Sequence, residues 1–286
     1  MADLPDEPEW ADGIYLLEKT DPASGGSEID PNTKQGILNW PHLQLANRTK
    51  WLRKRFEETT VEEELLVEVG SGGDFGTITD ALKELSRSRP IYTGDGFTAE
   101  IRMKSGMALE EQIFVAGLDL SWIKITSEDA EVPIVRSALS TVLDTNLGGG
   151  NIFPVFGAKL GGFLPLIDVL FEMDSSGSAS GREFIACINS GQAAMIPGAG
   201  CKNVGARALY ANRSSVIDAT GGVFPDAGED TVEAQRGSRI SCFGSDVANG
   251  SIVCERGSII DAGDVSGDPS MNIAPNTVTS SGIIFN

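Results

Sequence analysis

LYANRSSVIDA (residues 209–219), VEAQRGSRISC (232–242) and IVCERGSIIDA (252–262) are three copies of one pattern. Each copy has an aliphatic residue, a small residue two positions later, an Arg-(Ser/Gly)-Ser turn, an isoleucine and a second small residue. The repeat length is 23 residues between the first two copies and 20 between the last two. This period, with short alternating strands and a polar bend, is typical of the stacked coils of a parallel β-helix.

The alternation within each copy predicts which side chains enter the core, because successive residues of a strand point to opposite faces. Two inward columns follow, Leu209–Val232–Ile252 and Ile217–Ile240–Ile260, each accompanied by small residues two positions later. A looser fourth copy, IACINSGQAAM (185–195), begins 24 residues before the first. The arginines of the turns, Arg213, Arg236 and Arg256, are predicted to form a solvated ladder at a bend, with a ligand-binding stripe as the alternative.

Composition excludes several classes of function. The 286 residues carry a formal net charge of −19, which disfavours binding to a nucleic-acid phosphate backbone. No apolar run approaches the length of a membrane span, so membrane insertion is not expected. The first residues have neither a basic region nor an apolar segment typical of a secretory signal, which predicts synthesis in the cytoplasm. The 34 glycines suit a mainly β protein rich in turns.

The four cysteines, Cys187, Cys201, Cys242 and Cys254, all fall in the repeat region. Cys187 and Cys254 occupy one inward column three coils apart, about 14 Å at the usual strand spacing. That separation is beyond the reach of a disulfide. A zinc site needs a close cluster of Cys and His, and the single histidine, His42, is distant in sequence. We therefore expect buried thiols, no metal and no cofactor.

Residues 1–40 are acidic and rich in proline and glycine. They contain too little apolar surface to fold alone, so we expect an extended arm lying against a partner, with a disordered tail as the alternative. Trp10, Tyr15 and Trp40 are the candidate anchors on that partner.

Residues 41–64 begin with a helical pattern. Leu45, Thr49, Leu52 and Phe56 recur at the spacing of a heptad seam, which predicts a short helix and a possible trimeric coiled coil.

Several motifs in the first 55 residues resemble the opening of tail fibre and tailspike proteins of tailed bacteriophages. They are PEW (8–10), GIY (13–15), TDP (20–22) and, most specifically, LANRTKWL (45–52). In that family this region attaches a receptor-binding homotrimer to the tail or baseplate. The resemblance therefore implies a virion location, a tail partner and a host-surface glycan or protein as receptor.

VEVGSGGDFGTITDAL (67–82) resembles the start of pectate-lyase-like β-helices. The resemblance implies a right-handed parallel β-helix over residues 65–286, behind the arm and the helix. Because the first coil has an open end, an amphipathic helix at about 77–88 is expected to cover it, with Thr77 or Thr79 as its N-cap. The apolar C-terminus, about 272–286, is the predicted cap of the last coil, with contact to two sister chains as the alternative for Ile283, Ile284 and Phe285.

Some tailspikes cleave polysaccharide, which requires two carboxyl groups about 5–9.5 Å apart across a groove. Pairs worth considering are Asp168 with Glu172, Glu183 with Asp144, and Asp218 with Asp261, but no spacing separates them from ordinary solvated carboxylates. Asp144, Asp174 and Glu183 are the candidate catalytic residues. Histidine catalysis in the coils is excluded because His42 precedes them. The sequence predicts a non-enzymatic tail protein, with a glycoside hydrolase or lyase as the alternative.

Overall fold

The computed structural model describes residues 40–61, 65–90, 99–143, 151–227, 230–248, 250–267, 270–273 and 282–285. The chain forms two compact units, Met1–Val61 and Glu62–Asn286. The protein is mainly β with parallel sheets, as the sequence predicts. Trp10, Tyr15 and Asp144, three of the candidate site residues, lie outside the described residues.

The described part of the first unit consists of helix α1 (Trp40–Thr59) and strand β1 (Thr60–Val61). The sequence predicts this helix over residues 41–56, and α1 continues one turn further to Thr59.

The second unit contains helix α2 (Ile78–Leu85) and a series of short strands. These are β2 (Leu65–Val69), β3 (Arg89–Pro90), β4 (Ala99–Met103), β5 (Ile113–Ala116), β6 (Ile123–Ser127), β7 (Val132–Ile134), β8 (Phe153–Lys159), β9 (Leu166–Ile167), β10 (Leu170–Met173), β11 (Arg182–Ile188), β12 (Gln192–Ala194), β13 (Gly200–Lys202), β14 (Leu209–Asn212), β15 (Val216–Asp218), β16 (Val232–Gln235), β17 (Arg239–Ser241), β18 (Ser251–Cys254), β19 (Ile259–Asp261), β20 (Ser270–Ile273) and β21 (Ile283–Phe285). A 3-10 turn, Arg136–Ala138, follows β7.

Strands β2 and β4–β21 form four parallel sheets. The sheets have four strands (β2-β4-β6-β9), seven (β5-β8-β11-β14-β16-β18-β20), five (β12-β15-β17-β19-β21) and three (β7-β10-β13). From β11 onward the chain visits the seven-stranded, five-stranded and three-stranded sheets in turn. Beyond β13 single parallel bridges, Gly200 to Val223 to Asp246 to Ser266, continue the third side. Each circuit of the chain therefore pairs with the circuit before it.

The register confirms both predicted inward columns. Leu209 pairs with Val232 and Val232 with Ile252 in the seven-stranded sheet. In the five-stranded sheet, Ile240 pairs with Ile217 on one side and Ile260 on the other. All six side chains are buried. The looser fourth copy also stacks as predicted, since Ile185 pairs with Leu209.

The cysteines line the same core. Cys187 stacks on Ala211, Ala211 on Ala234 and Ala234 on Cys254, so the two cysteines share one column. All four thiols are free and buried. Burial raises the pKa of Cys187 and Cys201 far above the usual range of a thiol. These side chains therefore act as small apolar residues rather than as nucleophiles.

The third residue of each Arg-(Ser/Gly)-Ser turn forms a buried ladder. The N–H of Ser215 donates to Oγ of Ser238, and the N–H of Ser238 donates to Oγ of Ser258, both at 3.2 Å. Oγ of Ser215 donates in turn to the carbonyl of Asn212 at 2.8 Å. The turn thus satisfies its buried polar groups from one circuit to the next, which buried hydroxyl and amide groups require.

Helix α2 lies where the sequence predicts a helix at about 77–88. Thr77 is its N-cap and accepts the N–H of Asp80. A second residue completes this end, because the carboxylate of Glu111 accepts the N–H groups of Ile78 and Thr79. The apolar face of α2 is buried in the main core through Ile78, Ala81, Leu82 and Leu85.

The C-terminal segment ends in a strand. β21 pairs with β19, placing Ile284 beside Ile260. Ile284 packs against the core, whereas Ile283 and Phe285 are about half exposed. Of the predicted C-terminal cap, residues 274–281 and 286 fall outside the described part.

Candidate functional site

Two carboxyl groups meet on the outer face of the three-stranded sheet. Glu172 in β10 lies beside Lys202 in β13, and Glu131 precedes β7 on the other side. Nζ of Lys202 contacts Oε2 of Glu131 at 2.5 Å, and the amide of Asn203 donates to Oε1 of Glu172 at 2.9 Å. Glu131 and Glu172 are also near enough for each to shift the pKa of the other. The sequence pattern does not predict this pairing of Glu131 with Glu172.

The pKa values of Glu131 and Glu172 are shifted in opposite directions. The hydrogen bond from Lys202 holds the pKa of Glu131 below its usual range. The hydrogen bond and charge of Glu131 raise the pKa of Glu172. Glu172 is therefore the member of the pair that keeps its proton to higher pH.

A second charged cluster is buried on the outer face of the seven-stranded sheet. Arg207 donates to Oε1 of Glu183 at 2.6 and 3.0 Å and also forms an ion pair with Glu233. The guanidinium lies 4.3 Å from the centre of the Tyr210 ring. The amide of Gln235 donates to Glu233. We call these five residues the Arg207 network.

Glu183, a predicted catalytic candidate, lies inside this network. It has no exposed surface, and its Oε2 atom has no hydrogen-bond partner. Burial raises its pKa to about 7, although the charge of Arg207 acts in the opposite direction. A carboxyl group in this position is inaccessible to a polymeric substrate. The structure thus favours a packing role for Glu183.

Apolar side chains also pack around Tyr210 of the network. Leu143 and Ile152, on the two sides of residues 144–150, pack in a separate apolar cluster with Ala186, Ile188 and Tyr210. These last three residues lie on β11 and β14. The outer face of the seven-stranded sheet is therefore also buried where β11 and β14 carry these three residues.

Asp174, the other described candidate, organises a loop. Oδ1 accepts the N–H of Arg136 at 2.9 Å and both the N–H and the hydroxyl of Ser176, at 3.0 and 2.6 Å. The Ser176 hydroxyl is the main cause of the lowered pKa of Asp174. A carboxylate satisfied in this way is an anchor for the backbone rather than a general acid.

The remaining carboxylate pairs from the sequence do not form catalytic pairs. Asp168 makes an ion pair with Lys124 at 3.4 Å. Asp218 and Asp261 lie on the two sides of Ser241 in the register of the five-stranded sheet, which is the ladder arrangement that the sequence predicts.

The repeated arginines occupy one corner of the second unit, between the seven-stranded and five-stranded sheets. Arg213, Arg236 and Arg256 all have left-handed backbone, with φ of 57°, 54° and 53°. Asn189 has the equivalent place in the preceding circuit, with φ of 51°. Nη1 of Arg213 donates to Oδ1 of Asn189 at 3.2 Å, which joins these two circuits at the corner. We call the three arginines the arginine corner.

The predicted seam of the first unit is a row of exposed side chains on α1. Leu45, Leu52 and Phe56 are 49%, 54% and 59% exposed, and Thr49 is also exposed. The hydroxyl of Thr49 donates to the carbonyl of Leu45 at 2.9 Å. Trp40 is the first residue of α1, but its side chain is outside the described part of the chain. The predicted seam therefore lies on an exposed face of α1 within the described residues.

The coil period contains a signal for three residues of the Arg207 network. Glu183, Arg207 and Glu233 are 24 and 26 residues apart, close to the period of the repeat. Charges of alternating sign at that spacing indicate a ladder across circuits. Reading outward positions at the coil period would have identified the Arg207 network.

No protein-family model matches the chain, and no curated protein matches it. Within the ranges that the structure describes, no helix is long and apolar enough to cross a membrane. The same residues contain no group of three or more His, Cys, Asp or Glu side chains placed to hold a metal ion.

Proposed function

We propose that residues 65–286 form a right-handed parallel β-helix and that the chain is a tail fibre or tailspike protein of a tailed bacteriophage. The observation that carries the proposal is the in-register stack of parallel strands that follows a helix with an exposed apolar row. Right-handedness is the expectation from general stereochemistry, because parallel crossover connections take that hand in almost all proteins. The motifs in residues 8–52 and 67–82 supply the phage resemblance.

The chain works as a homotrimer in this proposal. Apolar residues at heptad spacing on α1 bury their surface when three helices pack around one axis. Leu45, Leu52 and Phe56 keep 49%, 54% and 59% of their surface exposed in the part of the chain that the structure describes. Association therefore removes apolar area from water at the seam.

The arm, residues 1–40, attaches the trimer to a tail or baseplate protein. Trp10, Tyr15 and Trp40 are its proposed anchors, since aromatic side chains carry much of the energy at such contacts. The β-helix then faces the host surface and binds, or supports the binding of, a glycan or protein receptor. The protein is made in the host cytoplasm and ends in the virion tail.

Binding without cleavage fits the candidate carboxylates. Glu183 is enclosed with Arg207, and Asp174 holds a loop. Cleavage of polysaccharide is the second candidate function. One observation favours it, namely that the raised pKa of Glu172 suits a general acid.

The test begins with virions of the phage that encodes this chain. Antibodies against residues 62–286 should label the tail in electron micrographs, and purified chain should compete with virions for adsorption to host cells. Absence of the chain from purified virions would refute the tail assignment.

The enzymatic alternative has its own assay. Purified chain incubated with host capsule or lipopolysaccharide should release neither reducing ends nor unsaturated sugars. Sustained product formation that is lost in Asp144→Asn, Asp174→Asn, Glu183→Gln or Glu172→Gln would replace the binding function with a depolymerase.

A further inference from the structure

The outer face of the five-stranded sheet is more apolar than a solvated surface needs to be. Strand alternation leaves two outward residues on each of its last four strands, and these residues form two rows along the stack. The first row is Val216, Arg239, Ile259 and Ile283, and the second row is Asp218, Ser241, Asp261 and Phe285. Val216, Ile283 and Phe285 are 41%, 51% and 55% exposed. Exposed apolar side chains grouped on one face are typical of an interaction surface.

A second aromatic ring enlarges the apolar part of this face. Phe243, which follows β17, is 43% exposed. Its ring lies against Gly263 in the next circuit, where an added Cβ would come within 2.9 Å of Cδ2 of the ring. The N–H of Gly263 donates to Oδ1 of Asp261, and Asp261 pairs with Phe285. Two exposed aromatic rings therefore lie near Asp261, and aromatic side chains are enriched at protein–protein interfaces.

The cation of this face has no counter-ion within the described residues. Arg239 is exposed at the start of β17 and forms no ion pair in that part of the chain. The outer face of the four-stranded sheet differs, because its cations are paired. Arg102 lies 2.8 Å from Glu100, and Lys124 lies 3.4 Å from Asp168. Arg239 is thus open to a carboxylate from another molecule.

The same face also carries two carboxylates. Oδ1 of Asp218 accepts the N–H and the hydroxyl of Thr220, and Oδ1 of Asp261 accepts the N–H of Gly263. Among the described residues, the Oδ2 atom of neither aspartate accepts a hydrogen bond. Asp218 and Asp261 pair with Ser241 from the circuits on its two sides, each about 4.8 Å from it along the stack. The face therefore presents a cation in one row and two carboxylates in the other, at fixed positions, and it complements itself.

Two rows of this kind suit a three-fold axis parallel to the direction in which the strands stack. Around such an axis the first row of one copy faces the second row of the next, and residues of the same circuit meet at the same height. Arg239 then faces Ser241 of the next copy, with one carboxylate a circuit below and the other a circuit above. Ile283 faces Phe285, which removes two half-exposed apolar side chains from water.

We propose that the outer face of the five-stranded sheet is a contact surface between copies of this chain, with Arg239 placed between Asp218 and Asp261 of the next copy. The guanidinium group has enough donors to bind both carboxylates at once. An acidic glycan would also meet the two aspartates, whereas a second copy satisfies charges of both signs. The inference rests on the homotrimer of the proposed function, in which this surface adds to the seam on α1.

The experiment cross-links outward positions of the full chain. One version carries Arg239→Cys and a second, with a different tag, carries Ser241→Cys; the two are co-expressed and purified through both tags. Facing sheets lie about 10 Å apart, so a bismaleimide of about that length should join the two versions into a covalent dimer. The four native thiols are buried and should not react.

The matched control pair is Glu100→Cys with Arg102→Cys, which has the same two-residue offset on the outer face of the four-stranded sheet. This pair should give at most one fifth of the covalent dimer. Each version on the five-stranded sheet should also give little product alone, because each row faces the other row rather than itself.

Charge reversal tests the ionic part of the contact. Arg239→Asp should raise the dissociation constant of the trimer at least tenfold, as measured by light scattering on dilution. Addition of Asp261→Arg should recover at least threefold, since a cation and a carboxylate then exchange places. Arg87→Asp makes the same charge change at an exposed site after α2 and should change the constant less than twofold. Circular dichroism should give wild-type spectra for all three variants.

A cross-link yield no higher than that of the control pair would overturn the inference, as would equal effects of Arg239→Asp and Arg87→Asp. If Arg239→Asp fails to fold, the cross-link yield decides alone. These results are separate from the virion test. Tail labelling without the cross-link removes only this contact, whereas the cross-link without tail labelling removes only the phage assignment. A monomeric wild-type chain removes the homotrimer and this contact together.

Discussion

The carboxylate of Glu111 accepts the backbone N–H of Ile78 at 2.7 Å, although 33 residues separate the two in sequence. The second oxygen of Glu111 accepts the N–H of Thr79. Helix α2 thus obtains part of its N-terminal cap from the segment that leads into β5, in addition to its own Thr77. Capping and coil stacking are coupled at this point.

Glu111→Ala should therefore lower the free energy of unfolding by about 1–2 kcal/mol, since two N–H groups of α2 lose their acceptor. Urea unfolding followed by circular dichroism measures the change. Glu110→Ala is the matched control because Glu110 is exposed and should cost less than about 0.5 kcal/mol. Equal effects of the two substitutions would show that the cap does not contribute to stability.

Ile240→Asp should prevent folding. Ile240 is buried between Ile217 and Ile260, and a carboxylate placed there without a partner costs several kcal/mol. Val216→Asp puts the same side chain on the exposed face of the five-stranded sheet and should yield soluble, folded protein. A folded Ile240→Asp chain with a cooperative thermal transition would disprove the inward assignment of this column.

Glu183 should make stability depend on pH. Its pKa in the folded protein is about 7, above the value of 4.5 expected for an unfolded chain. The folded state then binds the proton more tightly, so this contribution is present below pH 4.5 and is lost as pH rises to about 7. Relative to Glu183→Gln, the wild type should lose about 3 kcal/mol over that interval. Denaturant unfolding at pH 4.5 and 7.5 gives the difference, and parallel pH profiles would contradict the assignment.

The exposed row on α1 should hold the trimer together. Leu52→Lys/Phe56→Lys places charges at the seam and should convert a trimer to a monomer at micromolar concentration, as measured by light scattering. Asn47→Lys adds the same charge on the opposite side of this helix, away from the 45–49–52–56 spacing, and should leave the trimer intact. A trimer that survives deletion of residues 1–56 would instead locate the subunit contacts in the second unit.

Attachment should reside in the arm. Virions assembled with a chain lacking residues 1–40 should carry much less of the protein than wild-type virions, as quantified by mass spectrometry. Trp10→Ala/Tyr15→Ala should reproduce most of that loss, whereas Ile14→Ala between them should have a smaller effect. Normal copy number of the truncated chain would place the attachment surface elsewhere.

The inward columns could be predicted because stacked circuits impose the same packing on each copy. Leu209, Val232 and Ile252 face the same interior, and strand alternation identifies their faces. The earlier circuits repeat less clearly. Leu166–Met173 is one largely apolar stretch in the sequence. It forms two strands in different sheets, β9 and β10, because the chain turns a corner at Asp168 and Val169.

The charged clusters were harder to predict because their members come from different circuits, and of their charged residues only Glu233 lies in a regular copy. Arg207 precedes the first regular copy, and its partners Glu183 and Glu233 lie in different strands. Glu131 and Glu172 are separated by a segment that does not follow the coil period. The alternation of residues along a strand predicts which side chains face outward. Whether that outward face is buried also depends on the segments that cross it, and the alternation does not predict those segments.

The serine ladder from Ser215 to Ser258 makes neighbouring circuits interchangeable at that turn. Each serine offers the same acceptor to the circuit before it, so insertion or removal of one whole copy leaves an equivalent hydrogen bond behind. The length of the protein can then vary in increments of about 4.8 Å without a new core. Duplication of a gene segment of some 20–23 codons is thus a direct genetic route to a longer or shorter molecule.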